Sequence, residues 1–162
     1  MRFYSIIVPV YNRPEEVAEL LASLKGQVYD NFEVLIIEDG SSISCQHVVK
    51  GFAQDLDVHY YFKENGGQGF ARNYGFQKAK GDFFIVFDSD CLIPKDYLST
   101  VDKYLNKHQV DAFGGPDRAH PDFNALQKAI SYAMTSPLTT GGIRGQIKHV
   151  GQFHPRSFNM GI

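Results

Sequence analysis

Asp88-Ser89-Asp90 sets two carboxylates one residue apart at the end of the apolar run Phe83-Phe84-Ile85-Val86-Phe87. A run that is apolar at every position suits a parallel strand buried on both faces. Charge at its end needs a reason, and an open parallel sheet supplies one, because ligands bind at the rim formed by the carboxyl ends of its strands. Carboxylate oxygens suit hard divalent cations such as Mg2+ or Mn2+, which in turn neutralise a diphosphate. The competing reading is that one of the two aspartates only caps the turn or helix that follows. A D-x-D triplet is a weak signal alone; its place after a buried strand gives it weight.

Other segments aim polar groups at the same rim. Ile6-Ile7-Val8-Pro9-Val10 reads as a buried strand, and Tyr11-Asn12-Arg13-Pro14 turns the chain into a helix. Asn12 is placed to cap that helix, Glu15 stands three residues later as in a capping box, and Pro14 fits the first turn. Val17, Leu20, Leu21 and Leu24 form its core face, and Gly26 ends it. A second strand, Phe32 to Ile37, runs into Glu38-Asp39-Gly40-Ser41-Ser42, where Gly40 allows a tight turn and the serines can cap the next helix. That helix carries Val48, Val49 and Phe52, and Val58 to Phe62 is a third strand. Lys63 to Gly75 follows, with Gly66, Gly67 and Gly69 bringing backbone close to something and a helical second half carrying Arg72.

Two familiar phosphate-binding patterns fail here. The third glycine of G-x-G-x-x-G would fall on Arg72 and the loop follows the third strand, which excludes a dinucleotide fingerprint; no Gly-Lys-Ser/Thr ends it, which excludes a P-loop. Further on, Pro94 opens a helix with Tyr97, Leu98, Val101, Tyr104 and Leu105, and Val110 to Phe113 reads as a further strand. Phe123, Leu126, Ala129, Ile130, Ala133 and Met134 recur at helical spacing, a stripe that serves as core, as a subunit contact or as a membrane face. Thr139 to Gly145 reads as a mobile loop, and Ser157 to Ile162 as the start of another strand.

Alternating strands and helices with right-handed crossovers bring the strand ends to one side of an α/β fold. Tyr11, Asn12, Asp39, Arg72, Asp88 and Asp90 are thereby expected around one pocket. That set suits a nucleotide diphosphate: Asp39 for a base or ribose donor, Asp88 for a ribose hydroxyl and Asp90 for the bridging cation.

Composition is compatible. The 162 residues suit one domain that needs no disulfide, and a net charge of −2 with 14% aromatic residues argues against disorder and against a general nucleic-acid binder. Cys45 and Cys91 have no C-x-x-C spacing, so reduced thiols in the cytoplasm are the expectation. No signal peptide or transmembrane run is visible. From residue 117 onward Arg118, Lys128, Arg144, Lys148 and Arg156 face only Asp117 and Asp122, so this part could meet an anion or simply carry solvated charge.

Four motifs in order resemble those of family 2 glycosyltransferases of the GT-A fold: Val8-Pro9-Val10-Tyr11-Asn12-Arg13, Glu38-Asp39-Gly40-Ser41-Ser42, Asn65-Gly66-Gly67 with Ala71-Arg72-Asn73, and Asp88-Ser89-Asp90. The resemblance covers residues 3–118 well; beyond that it rests on Phe158-Asn159-Met160-Gly161. It implies a mostly parallel sheet flanked by helices, in a single domain over 1–162 that is the front of a longer protein. Residues 1–118 would bind the nucleotide and 119–162 would begin the acceptor side.

By the same resemblance, the activity is inverting transfer of a sugar from a nucleotide-diphosphate donor, most often UDP-linked, to an acceptor hydroxyl, as in polysaccharide biosynthesis. Pro9, Tyr11, Asn12, Asp39, Arg72, Asp88 and Ser89 would hold the nucleotide, and Asp90 would ligate Mn2+ or Mg2+. The expected partners are the donor and a saccharide or lipid-linked acceptor, with no nucleic acid. Association with the cytoplasmic face of a membrane and a homo-oligomeric state stay open. The family's general base lies beyond the strand ending near Gly161, so residues 1–162 are expected to bind donor and metal but to lack about 10²–10⁴-fold of rate. A non-catalytic nucleotide-sugar-binding or regulatory module is the alternative, and a nucleotidyltransferase ranks last.

Overall fold

The computed structural model describes residues 1–115, 122–136, 139 and 159–162. Along the chain the elements are β1 (Tyr4–Val10), α1 (Pro14–Lys25), β2 (Phe32–Asp39), α2 (Gln46–Phe52), β3 (Val58–Lys63), α3 (Gln68–Lys78), β4 (Phe83–Phe87), α4 (Tyr97–Lys107), β5 (Phe113–Gly114), α5 (Ala125–Thr135) and β6 (Asn159–Gly161). The six strands form one sheet in the order β3-β2-β1-β4-β6-β5. β1 pairs in parallel with β2 and β4, β2 pairs in parallel with β3, and β6 runs antiparallel to β4.

β1 and β2 are buried at every position, as the apolar runs from Ile6 to Val10 and from Val34 to Ile37 require of central parallel strands. On one face Ile6, Val8, Val34 and Ile36 pack against Val17, Leu20, Leu21 and Leu24 of α1, with Val49 of α2 and Leu98 and Leu105 of α4 in the same core. On the other face Ile7, Leu35, Ile37 and Val86 meet Ala71 of α3. Gly75 lets α3 lie close to the sheet there, since a Cβ on it would stand 2.4 Å from Ile7 Cγ2 and 3.3 Å from Ile37 Cγ1.

The connections set the position of the crevice. The chain steps outward from β1 through β2 to β3, then crosses back by way of α3 to place β4 on the other side of β1. The strand order therefore reverses between β1 and β4, and in an α/β sheet ligands bind beyond the strand ends at that point.

Several local expectations are corrected. Asn12 does not cap α1: Arg13 occupies the N-cap position with no side-chain cap, although Pro14 and the acidic Glu15 and Glu16 stand in the first turn as expected. Asn12 sits at φ 55° and its Oδ1 instead accepts from Ser42 N (2.8 Å), Ile43 N (2.9 Å) and Ser42 Oγ (3.0 Å). Ser41 and Ser42 are thus used in tying this loop to the end of β1 and do not cap α2, whose N-cap is Cys45. The strand expected from Val110 narrows to Phe113–Gly114.

Met1–Phe113 with Ser157–Ile162 make one compact unit, and Gly114–Arg156 a second. In the second unit, α5 has the capping box that α1 lacks, formed by Asn124 and Gln127. None of its residues is buried, and Leu126, Ile130, Tyr132 and Met134 of its apolar stripe are exposed. Arg118, Arg144, Lys148 and Arg156, and the loop from residue 140 onward, lie outside the described residues. Among the described residues no helix is long and apolar enough to cross a membrane.

Candidate functional site

A cavity of about 310 Å³ opens at the carboxyl ends of β1, β2 and β4, lined by Pro9, Val10, Tyr11, Arg13, Asp39, Gln68, Asp88, Ser89 and Asp90. Each lining group comes from an element the sheet positions. β1 delivers Pro9 and Val10, with Tyr11 and Arg13 just after it; β2 ends in Asp39; the residues after β4 supply Asp88, Ser89 and Asp90; and α3 begins with Gln68.

Successive residues of a strand point to opposite faces, and this separates the two acids that end β2. Glu38 turns towards α2 and accepts hydrogen bonds from Cys45 N (2.8 Å), Ser44 Oγ (2.7 Å) and the Tyr60 hydroxyl. Burial raises the cost of its charge, but these donors outweigh burial and hold its carboxyl below the usual carboxylate range. It also contributes to the Cys45 thiol, which burial first and then the Glu38 charge push up to about 12, far from any nucleophilic role.

Asp39 turns to the cavity side. Its oxygens accept from Gly66 N (3.0 Å), Gly67 N (2.7 Å) and the Lys63 ammonium, and its carbonyl accepts from Asn65 Nδ2 (2.9 Å). Burial to 4% exposure pushes its carboxyl up, and the Lys63 and glycine donors override that, leaving it lowered. The glycines of this loop therefore approach a carboxylate of the chain itself. Gly40, at φ 70°, is forced by the same arrangement: a Cβ there would stand 2.6 Å from Asn65 N.

The acidic pair after β4 is held differently. Asp88 Oδ1 accepts from Arg72 Nη2 (2.9 Å) and from Gln68 Nε2 (2.8 Å), so α3 fixes it from the side. Arg72 is mostly buried and its Nε has no hydrogen-bond partner. Asp90 reaches Arg13 Nη1 at 2.8 Å in an exposed pair, with 54% of the Asp90 side chain open to solvent. Ser89 between them is buried.

Of the residues singled out from sequence, Pro9, Tyr11, Asp39, Asp88, Ser89 and Asp90 line the one cavity. Arg72 stands behind Asp88 without lining it, and Asn12 organises the neighbouring loop. Sequence reasoning missed Arg13, Lys63 and Gln68. Each had a signal: Lys63 is a cation ending a strand beside the Asp39 strand, Arg13 follows Tyr11 and Asn12 directly, and Gln68 follows the glycine pair at a helix start.

Arg13, Asp88 and Asp90 together can carry and neutralise charge at the cavity mouth, and Tyr11, 54% exposed, offers an aromatic face. Carboxylate oxygens half open to solvent are a donor set that fits Mg2+ or Mn2+. Among the described residues, the group of three potential metal ligands lies elsewhere, at Glu33, Asp57 and His59.

Comparison with known proteins bears on this geometry. The model of the family described as glycosyl transferase family 2 matches residues 5–160. An uncharacterized glycosyltransferase of Rickettsia bellii is 34% identical over 104 residues, which is 64% of this chain and 15% of that protein. TarS of Staphylococcus aureus, residues 1–349, solved in complex with UDP-GlcNAc, superposes with a TM-score of 0.69 at 28% identity, covering 76% of this chain and 36% of that one. The mannosyltransferase PcManGT of Pyrobaculum calidifontis, solved with GDP-Man and Mn2+, gives a TM-score of 0.67 at 27% identity over 72% of this chain and 36% of that one. The chain spans 15% to 17% of the length of the first curated relatives it matches. With the family model matched almost from end to end and the α/β sheet of solved sugar transferases reproduced, the chain belongs to glycosyl transferase family 2, in its GT-A fold.

Proposed function

We propose that this chain is the donor-binding part of an inverting glycosyltransferase that transfers a sugar from a UDP-linked donor to an acceptor hydroxyl, with the help of a divalent cation. One observation carries the reading: Tyr11, Asp39, Asp88 and Asp90, distant in sequence, line one cavity where the strand order reverses. The TarS complex with UDP-GlcNAc supports a UDP-linked donor by likeness, and the PcManGT complex supports a manganese-class cation.

The roles follow from chemistry. Pro9 and Tyr11 form an apolar and aromatic wall for the base. Asp39, already holding the Gly66–Gly67 turn, keeps lone pairs for one base or ribose donor. Asp88, oriented by Arg72 and Gln68, accepts from a ribose hydroxyl. Asp90, with Asp88 beside it, would hold Mn2+ or Mg2+, which when bound neutralises charge developing on the leaving diphosphate. Arg13, paired with Asp90 at 2.8 Å, would supply a further positive charge at the cavity mouth.

Each carboxylate that lines the cavity already has a cationic partner: Lys63 for Asp39, Arg72 for Asp88 and Arg13 for Asp90. A general base needs a lone pair free and aimed at the proton it takes, and these three carboxylates are already engaged by their cations. The base for the acceptor hydroxyl is therefore assigned to a residue other than these three. The same observation favours a second reading, a nucleotide-sugar-binding module that does not catalyse.

Thermal unfolding with UDP, with and without Mn2+, tests the proposal. Ligand at a hundred times its dissociation constant adds about 2.7 kcal/mol to stability. The manganese-dependent part of that gain is expected to vanish in Asp90→Asn, while the ligand-free stability changes by less than about 0.5 kcal/mol because the Arg13 pair is exposed. A UDP response unaffected by manganese or by Asp90→Asn removes Asp90 from the site.

A further inference from the structure

The opposite rim of the sheet holds a second cluster. Glu33 is the second residue of β2, Asp57 immediately precedes β3 and His59 is the second residue of β3. Their potential ligand atoms all lie within 4.8 Å of one another. His59 Nε2 stands 3.5 Å from Glu33 Oε2 and 3.0 Å from Asp57 Oδ1.

Within this cluster two atoms are left over. Glu33 is 0% exposed, and its Oε1 is fully used, accepting from Ser5 Oγ (2.6 Å) and Lys80 N (2.7 Å). Its Oε2 is buried with no hydrogen-bond partner, and so is His59 Nε2. The two face each other. An imidazolium bridging the acids would donate its Nε2–H to one of them, yet no aligned hydrogen bond links Nε2 to either carboxylate. A buried carboxylate oxygen and an imidazole nitrogen left unpaired are costly unless something between them accepts both lone pairs.

We propose that Glu33 Oε2, His59 Nε2 and Asp57 Oδ1 bind one divalent transition cation of the zinc class. An imidazole with two carboxylates is a donor set for zinc and its neighbours, whereas magnesium and calcium take oxygen alone. With bonds of about 2.0–2.2 Å, tetrahedral ligands lie roughly 3.3–3.6 Å apart, close to the Glu33–His59 separation. Asp57, more than half exposed, is the member able to adjust, and it leaves the fourth position open to water.

Such a cation would join β2 to β3, the strand at the edge of the sheet. Through Glu33 Oε1 it would also bear on Ser5 of β1 and on the segment that follows α3. The role is to clamp an edge strand, and it is independent of the donor reading, whose acids lie at the other ends of these strands.

Calorimetric titration of the chelator-stripped 162-residue chain with zinc chloride decides the matter, with a cobalt spectrum as a second readout. One zinc site is expected that persists in Asp90→Asn and weakens at least about tenfold in His59→Gln and in Asp57→Asn, with the cobalt absorption lost in parallel. Asp57→Asn, a change at an exposed side chain, keeps the test decisive should His59→Gln fold poorly. Unchanged zinc affinity in these two variants, the absence of any zinc site, or its loss in Asp90→Asn alone overturns the proposal.

Discussion

The two rims of the sheet use the same residue types to opposite effect. At the carboxyl ends of the strands Asp39, Asp88 and Asp90 each meet a cation, and Asp39 also receives two backbone amides. At the amino ends Glu33 is more deeply buried than any of them, yet one of its oxygens and the facing His59 nitrogen have no hydrogen-bond partner. A carboxylate surrounded by donors organises a loop; one left half satisfied calls for a further partner. Burial alone does not separate the two cases. The donor inventory around each oxygen does.

The largest effect that sharpens this contrast is expected at Asp39. In Asp39→Asn the amide group would face glycine N–H groups and leave the Lys63 ammonium unpaired in a mostly buried site, costing about 3 kcal/mol in urea unfolding. The pH dependence has a definite sign. A carboxyl lowered in the folded state stabilises fully above its unfolded value of about 3.9, and that gain is lost as pH falls through the lowered value. Asp39→Asn should therefore flatten the acid limb of the stability curve, while leaving neutral-pH stability insensitive to small changes in pH. An acid limb identical to that of the parent chain would remove Asp39 as its source.

Next comes the helix that serves both rims. α3 carries Arg72 to one rim, and the chain just past its end brings Lys80 N to the other. Gly75→Ala adds helix propensity worth about 1 kcal/mol but forces a methyl against Ile7 and Ile37, and overpacking costs about 1–3 kcal/mol. Overpacking wins because Ile7 and Ile37 are fully buried, so a net loss of about 1 kcal/mol is expected, together with weaker UDP binding as Arg72 and Asp88 shift. Stabilisation by Gly75→Ala would show that α3 can back away from the sheet without cost.

The smallest effect is expected at Glu33, and it most directly breaks or supports the comparison. Glu33→Gln keeps an acceptor for Ser5 and Lys80, and its new amide replaces an oxygen that has no donor. Measured with a chelator present, stability should not fall, in contrast to the Asp39→Asn loss, because the variant unpairs no buried donor. A loss of similar size at both positions would mean that Glu33 is as fully satisfied as Asp39 and that the two rims do not differ.

What was legible beforehand follows from how local each signal is. The core strands and the face of α1 were readable because burial on both faces demands unbroken apolar runs and a helix needs one apolar stripe. The capping-box pattern occurs twice and forms a cap once. Asn12-Arg13-Pro14-Glu15 and Asn124-Ala125-Leu126-Gln127 share one pattern, yet only the second forms the cap. At Asn12 the backbone is left-handed and two amides of a loop some thirty residues away compete for the side chain. No local rule contains that competitor. The Lys63 cation is visible at the end of its strand, but its pairing with Asp39 is not, since that residue belongs to the adjacent strand.

The order of residue types along this chain determined which segments become strands, which end in acid, and that those ends share one rim, because side-chain periodicity and crossover handedness act over short range. Tertiary structure alone decided that β4 returns beside β1 to create the crevice, which carboxylate keeps which cation, and that Glu33 and His59 meet without an aligned hydrogen bond between them. Those outcomes depend on distances between segments far apart in the chain, and the energy of a hydrogen bond or an ion pair is set by such distances and by the water excluded around them.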